Sequence, residues 1–343
     1  MRLSESAPVP EAAQRARSGR GGLWLRFAIS AALLFVVFRK FHWAELGAQF
    51  RAASPAWLLA GWLLFGAAVT ISGVRWWLIL RGQQVWIGFR DLLSIVWIGQ
   101  FFNIFLLGNT GGDLIRVLYI IREAPRAKAL AGTSILLDRV MGLVVLAAVA
   151  MGAVFSEWSL FRSHAELRDI VWALAAILAG ALAGCAALLW FPLARLCLAW
   201  PKLERFAGTA EDLQAAMRRF AASPLLAGAV IPISIGVHVC NFAAGYCIAR
   251  ALGVGLGYLT VGVIFAVVFF IIALPVSIGG HGLRESAFVL IFSFFGVGAT
   301  LAVAVSLLFA VLTTIWSLLG GIVYWIYKTQ TGALPLESPG QAS

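Results

Sequence analysis

Eight apolar stretches follow one another along the 343-residue chain, and six of them read as full membrane crossings: residues 23–38, 57–80, 129–155, 170–191, 225–249 and 299–327. A crossing takes about 20 predominantly apolar residues. In hydrocarbon an unpaired backbone amide costs several kcal/mol, so such stretches must be helical. With 62% hydrophobic and 12% charged residues, the chain is far short of the quarter of charged residues usual in soluble domains. The fold class is an all-α integral membrane protein.

The remaining two stretches, 92–121 and 256–297, are each interrupted by glycine and charge, at GNTGGDLIR (108–116) and PVSIGGHGLRES (275–286). Loop charge decides what the first of them does. Arg81 and Arg90 precede it and Arg122, Arg126 and Lys128 follow it, so both flanks carry the basic excess of cytoplasmic loops. A hairpin that enters, breaks at the glycines and returns keeps both flanks inside, whereas a single crossing would not. The predicted plan is six transmembrane helices and two re-entrant hairpins; the plainer alternative is eight crossings with the termini on the same side.

Each half then holds crossing, crossing, hairpin, crossing. Three true crossings separate equivalent points, and an odd number inverts the second half, giving the inverted repeat found in many transporters. Residues 1–22 are too polar to bury a core and form a cytoplasmic tail. Residues 23–328 form the transmembrane unit, with halves of about 23–168 and 169–328, and 329–343 form a short C-terminal tail. The loop with Glu157, Glu166 and Asp169 suits the outer side. The loop with Arg195, Lys202, Arg205, Arg218 and Arg219 suits the inner side, where the formal net charge of +11 is concentrated by the positive-inside rule rather than by affinity for nucleic acid. There, Phe206, Leu213, Met217 and Phe220 follow helical spacing behind a Thr209–Asp212 capping-box pattern, which predicts a helix lying on the inner leaflet. Arg75 falls near enough to the end of its crossing for its side chain to snorkel to the headgroups.

The two breaks repeat one spacing: Gly111, Gly112 and Arg116 match Gly279, Gly280 and Arg284, 168 positions later. Free amides at a helix start, with a guanidinium one turn on, have the parts to hold a phosphate. The bland reading is that the glycines permit close helix crossing and each Arg pairs with a carboxylate. Asp138 and Arg139 lie mid-crossing, where each charge costs roughly 2.5–3.5 kcal/mol. Neighbours on a helix do not face one another, so each needs a partner on another element, and Asp113, Arg116, Arg284 and Glu285 are the candidates. These six charges sum to zero, which equally suits an interlocking ion-pair network. His281, inside the second break, can donate to a phosphate. Asn103, Asn241, Gln100 and His238 suit hydrogen bonding between helices, and Pro275 helps to end the preceding arm.

Nothing at metal-ligand spacing occurs among four histidines and four cysteines, and no G-x-x-x-x-G-K-[ST] loop or G-x-S-x-G elbow is present. No cofactor or metal is expected. The cysteines 185, 197, 240 and 247 show no paired spacing and read as packing residues.

FFNIFLLGNTGGDLIRVLYI, SILLDRVMGL and LPVSIGGHGLRESAFVLIFSFFGV, in that order, resemble the membrane region of the lysylphosphatidylglycerol synthase, or multiple peptide resistance factor, family. The resemblance covers about residues 20–328 and implies a flippase-type domain. It implies roles at Asn103, Gly111, Gly112, Asp113, Arg116, Asp138, Arg139, Pro275, Gly279, Gly280, Arg284 and Glu285, and a stand-alone member without the aminoacyl-transferase domain of bifunctional relatives. The expected function is translocation of a phospholipid or lipid-linked anionic headgroup across a bacterial inner membrane, with both termini cytoplasmic. The alternatives are an integral membrane transferase acting on a lipid or polyprenyl-linked substrate, and a scaffold subunit for a separately encoded lipid-modifying enzyme.

Overall fold

The computed structural model describes residues 43–105, 110–124, 128–191, 193–200, 203–273 and 282–331. Among them every regular element is helical: α1 (Trp43–Ala52), α2 (Pro55–Gly82), α3 (Phe89–Phe105), α4 (Thr110–Glu123), α5 (Lys128–Ser156), α6 (Trp158–Ser163), α7 (Ala165–Trp190), α8 (Leu193–Leu198), α9 (Ala207–Ala221), α10 (Pro224–Ala251), α11 (Tyr258–Ala273), α12 (Leu283–Phe294) and α13 (Ala299–Thr331). Five of these, α2, α5, α7, α10 and α13, are long and apolar enough to cross a membrane. They coincide with the crossings expected at 57–80, 129–155, 170–191, 225–249 and 299–327. The expected crossing at 23–38 lies outside the described residues, as do Pro275, Gly279, Gly280 and His281.

Burial separates two kinds of apolar helix. Only Leu167 and Leu174 of α7 are buried, and Trp172, Leu182 and Trp190 stand out from its surface. An apolar helix with so little protein around it has lipid as its solvent. α11 is the reverse. It is apolar on every side, yet Val261 and the run Val263 to Val268 are fully buried, with Phe265 ringed by Phe269, Phe288 and Phe309 at centroid distances of 5.6, 4.9 and 5.6 Å. A helix that is hydrophobic all round and enclosed by protein belongs to a core.

The four helices beside the breaks are short. α3, α4, α11 and α12 have 17, 14, 16 and 12 residues, so at 1.5 Å per residue each falls short of the roughly 30 Å hydrocarbon core. They pack in pairs, α3 on α4 and α11 on α12. The first pair is antiparallel: Gly112 N donates to Asn103 Oδ1 at 2.9 Å, and further from the break, one turn along α4 and two along α3, Arg116 Nη2 donates to the Val96 carbonyl at 3.3 Å. Gly112 has no Cβ because one would collide with the Gly99 carbonyl and the Asn103 side chain.

The most extensive helix contact joins α2 and α10, which are built alike. Both have 28 residues, both follow a serine and begin with proline, whose fixed φ suits the first helical position. Both end in the same hook: Val85 N donates to Leu80 O and Gln84 N to Arg81 O, while Val254 N donates to Ala249 O and Gly253 N to Arg250 O, all at 2.9–3.0 Å. This double bond pattern requires a left-handed residue, supplied by Gln84 (φ 62°) and by Gly253 (φ 75°). Every matched position lies 169 residues apart, from Pro55 and Pro224 to Val85 and Val254. The pair runs antiparallel, for Ser54 N at the start of α2 donates to Ala251 O at the end of α10 at 3.0 Å. Small residues bring the backbones together, with Gly61 set against the Ala244 carbonyl and Cys247.

α9 differs from expectation. It begins at Ala207 with Phe206 as its N-cap, after a 3₁₀ turn at Glu204–Phe206, and Thr209 caps nothing. Its apolar face is not laid on lipid: Met217 and Phe220 pack with Ile79, Leu137 and Val230 of α2, α5 and α10. Arg218 Nε and Gln214 Nε2 donate to the carbonyls of Leu189 and Phe191, where α7 ends. Those orphan carbonyls fasten α9 to the bundle, and the same amphipathic pattern serves protein instead of membrane.

Candidate functional site

α5 carries Asp138 and Arg139 into opposite surroundings, as neighbouring helical positions must. Asp138 turns toward α2 and α10, where Arg75 holds it through two bonds, Nε to Oδ1 at 2.7 Å and Nη2 to Oδ2 at 3.1 Å. Both side chains are buried, and Arg75 Nη1 also reaches Ser234 Oγ on α10 at 3.4 Å. Close beside them His238 Nε2 lies 3.2 Å from the Gly142 carbonyl. Gly142 makes the room, because a Cβ there would sit 3.2 Å from the Arg75 guanidinium. Arg75 thus does not snorkel: it is an interior ion-pair partner, seven residues inside its helix, and the set of partners foreseen for Asp138 omitted it.

Arg139 turns toward α4. Its Nη2 and Nε lie 2.8 and 2.9 Å from Asp113 Oδ2, one of the pairings the sequence allowed. Arg116, one turn beyond Asp113, approaches Asp113 Oδ1 only to 3.6 Å, and its buried Nε has no hydrogen-bond partner among the described residues. Its guanidinium carbon stands 5.8 Å from the Trp76 ring, whose Nε1 donates to Ser134 Oγ at 3.2 Å. Arg75, Arg116 and Arg139 against Asp113 and Asp138 leave one net positive charge in this group. The Arg139 side chain is 43% exposed, on a face of α5 where Leu136 and Leu143 are exposed too, with Leu114 of α4 alongside. A charge on an otherwise apolar exposed face is open to whatever lies beside that face.

The second group stands on α12 and α13. Arg284 and Glu285 are adjacent in sequence, yet Arg284 Nη2 and Nε reach Glu285 Oε1 at 2.6 and 3.1 Å. They meet because they occupy the first turn of α12, where Glu285 folds back so that Oε2 accepts the Gly282 amide at 2.7 Å. Gly282 is in the left-handed region (φ 80°). Ser306 of α13 completes the knot, accepting from Arg284 Nε at 3.0 Å and donating to Glu285 Oε1 at 3.3 Å. The six charges expected to balance are therefore held as two groups on different helices, one with Arg75 added to it.

At both breaks the chain itself takes a helix-start amide: Asn103 takes that of Gly112 and Glu285 that of Gly282. Gly111 is half-buried beside Gly112 in the first turn of α4. Asn241 donates to Val237 O within its own helix at 3.0 Å. No group of three or more His, Cys, Asp or Glu that could hold a metal occurs among the described residues. Sequence reasoning passed over Ser234, Ser306 and Trp76 and misplaced Arg75. Only Arg75 carried a usable signal, its depth in the crossing.

The family model described as the lysylphosphatidylglycerol synthase TM region matches residues 23–321. No curated protein and no solved structure matches the chain.

Proposed function

Because the chain belongs to the family defined by the transmembrane region of lysylphosphatidylglycerol synthase, we propose that this multi-pass membrane protein is a lipid translocator of the bacterial inner membrane. It moves a phospholipid or lipid-linked headgroup between leaflets, with both termini in the cytoplasm. The observation that carries this reading is the group of Arg75, Arg116 and Arg139 with Asp113 and Asp138, which keeps one positive charge in excess at membrane depth. Charge there costs roughly 2.5–3.5 kcal/mol per residue, so an anionic headgroup entering beside Arg139 would meet a cluster in which, among the described residues, arginines outnumber carboxylates. Arg139 has an exposed side chain on an apolar face, where a lipid can offer its phosphate while its tails stay in the bilayer. Binding then exchanges ion pairs: Arg139 leaves Asp113 for phosphate, and Arg116 Nε gains an acceptor. A headgroup can shift conformation only by preferring one set of pairs over the other.

The matching caps and antiparallel packing of α2 and α10 support an inverted repeat of halves 23–168 and 169–328, with the short pairs α3–α4 and α11–α12 as re-entrant hairpins. At the second hairpin Glu285 occupies the place a phosphate would take on the Gly282 amide, so headgroup capture there requires its release. Asp113, Asp138 and Glu285 are each held by an arginine, which favours translocation over a transferase that needs a free carboxylate as base.

The test is leaflet exchange of fluorescent phospholipids in proteoliposomes containing the full chain. The wild-type protein is expected to accelerate exchange, and Arg139→Gln and Arg116→Gln to slow it. Equal rates for wild type and both variants would sink the assignment.

A further inference from the structure

α10 carries a histidine to the middle of its crossing. His238 stands between Pro224 and Ala251, about 20 Å from either end of the helix, and lipid translocation as described makes no use of it. It is buried, as are Arg75, Asp138 and Ser234. These residues form one arrangement. Asp138 and Gly142 lie one turn apart on the same face of α5, and Ser234 and His238 lie one turn apart on α10. The Arg75 guanidinium fills the space between the two faces: it bonds Asp138 at 2.7 and 3.1 Å, reaches Ser234 Oγ at 3.4 Å, and would stand 3.2 Å from a Cβ on Gly142. His238 Nε2 closes the set, 3.2 Å from the Gly142 carbonyl.

That last bond fixes the state of the ring. A carbonyl only accepts, so Nε2 carries the hydrogen and Nδ1 of the neutral imidazole is left bare. A proton on Nδ1 would set a second cation beside Arg75, with Asp138 already taken. The other helices packed on α10 bring no further acid to this depth among the described residues. α11 carries no charged residue, and its Tyr258 donates to Val239 O at 3.3 Å. The charge on α13, Lys328, lies in its last turn over the Tyr324 ring. α9 meets α10 at Val230, two turns from His238, and Arg139 turns away to Asp113 on α4, where Arg116 also stands.

We propose that His238 is a proton-binding site and the reserve counter-ion of Asp138: neutral while Arg75 holds the carboxylate, it takes a proton when Arg75 withdraws and pairs with Asp138 in its place. An unpaired carboxylate is what the membrane interior tolerates least, and imidazole is the side chain whose charge changes most readily near neutral pH. Parting Arg75 from Asp138 therefore binds one proton per chain from water, and rejoining them releases it. The inference goes beyond lipid translocation and does not rest on it.

The experiment is solid-state NMR of the full chain in phosphatidylcholine nanodiscs, with isotope-labelled histidine ring nitrogens. Their shifts separate imidazole from imidazolium, and His238→Gln identifies the signal among the four histidines. In the wild-type protein and in Arg75→Lys, which keeps the cation, the ring is expected to be neutral at about pH 7. In Arg75→Met, and in Arg75→Gln, which keeps a donor for Asp138 without the charge, it is expected to be imidazolium, and neutral again once Asp138→Leu is added. Unfolding in SDS micelles gives a second readout. Relative to wild type, Arg75→Gln should gain stability as pH falls from about 8 to about 6.5, because its folded state then holds a proton the unfolded chain lacks. The gain should reach up to about tenfold in the unfolding equilibrium per pH unit, and His238→Gln should remove it. A neutral ring in both Arg75→Met and Arg75→Gln, an imidazolium in wild type or Arg75→Lys, or a pH slope that survives His238→Gln would overturn the proposal.

Discussion

Replacing Arg75 with methionine tests whether the ion pair with Asp138 helps to hold α2, α5 and α10 together. In soluble proteins, removing one partner of a buried ion pair costs about 3–5 kcal/mol, because the other charge is stranded. Within membranes, hydrogen bonds between helices average only about 0.6 kcal/mol and reach about 1.7, since the unfolded chain also finds partners. Arg75 makes two short bonds to Asp138 and a longer one to Ser234. Summed on the membrane scale they reach a few kcal/mol, so Arg75→Met is expected to cost about 2–4 kcal/mol, roughly a 30- to 900-fold shift in the unfolding equilibrium. Asp138→Leu should cost a similar amount, and the double variant clearly less than the two together, because no charge is then stranded. The coupling should be at least about 1 kcal/mol. The assay is reversible unfolding of the full chain in mixed micelles with increasing SDS, followed by tryptophan fluorescence. Additive losses, or single losses below about 0.5 kcal/mol as at an exposed pair, would refute the interior lock and restore Arg75 to the membrane surface.

Gln84 holds a left-handed conformation that its counterpart Gly253 adopts without strain, so Gln84→Gly should stabilise the chain by about 1 kcal/mol, measurable in the same micelles; a loss of stability would show that the Gln84 side chain contributes more than its backbone costs. Gly112→Ala should open the α3–α4 pair, because its methyl group meets the Gly99 carbonyl, whereas Gly152→Ala on α5 meets nothing within 4 Å and should be neutral or slightly favourable by propensity; thermal inactivation of the two variants distinguishes them. In a background lacking the four cysteines, Ser163→Cys at the end of α6 should react with an impermeant maleimide on intact cells, and Ala222→Cys just past α9 only after permeabilisation. The reverse pattern would invert the topology.

The long helices were legible because lipid imposes one crude requirement, length of apolar sequence, and α2, α5, α7, α10 and α13 satisfy it without tertiary detail. The division into short helices was legible by a different route, from the glycine and charge that interrupt 92–121 and 256–297. Charge partners were not, because pairing depends on which helix faces which. Arg75 and Asp138 are 63 positions apart, and nothing local links them. The clue overlooked was distance: seven residues from its helix end, Arg75 would have to reach about 10 Å to the surface, the limit for a snorkelling side chain. Arg284 and Glu285 misled in the opposite sense, for the rule that adjacent residues diverge holds within a helix and lapses in its first turn, where Glu285 folds back on the Gly282 amide. α9 was periodic enough to predict as a helix, but a moment says only that an apolar face exists and not whether lipid or protein covers it.

The antiparallel pairing of α2 with α10 joins two nearly interchangeable rods, yet they are not dressed alike. Ala244 and Leu307 stand 169 positions after Arg75 and Asp138, so the fastening between α2 and α5 has no twin in the second half. The two alike rods are therefore held unequally: separating α2 from α5 must part Arg75 and Asp138, and separating α10 from α13 parts no charge pair at the matching positions Ala244 and Leu307.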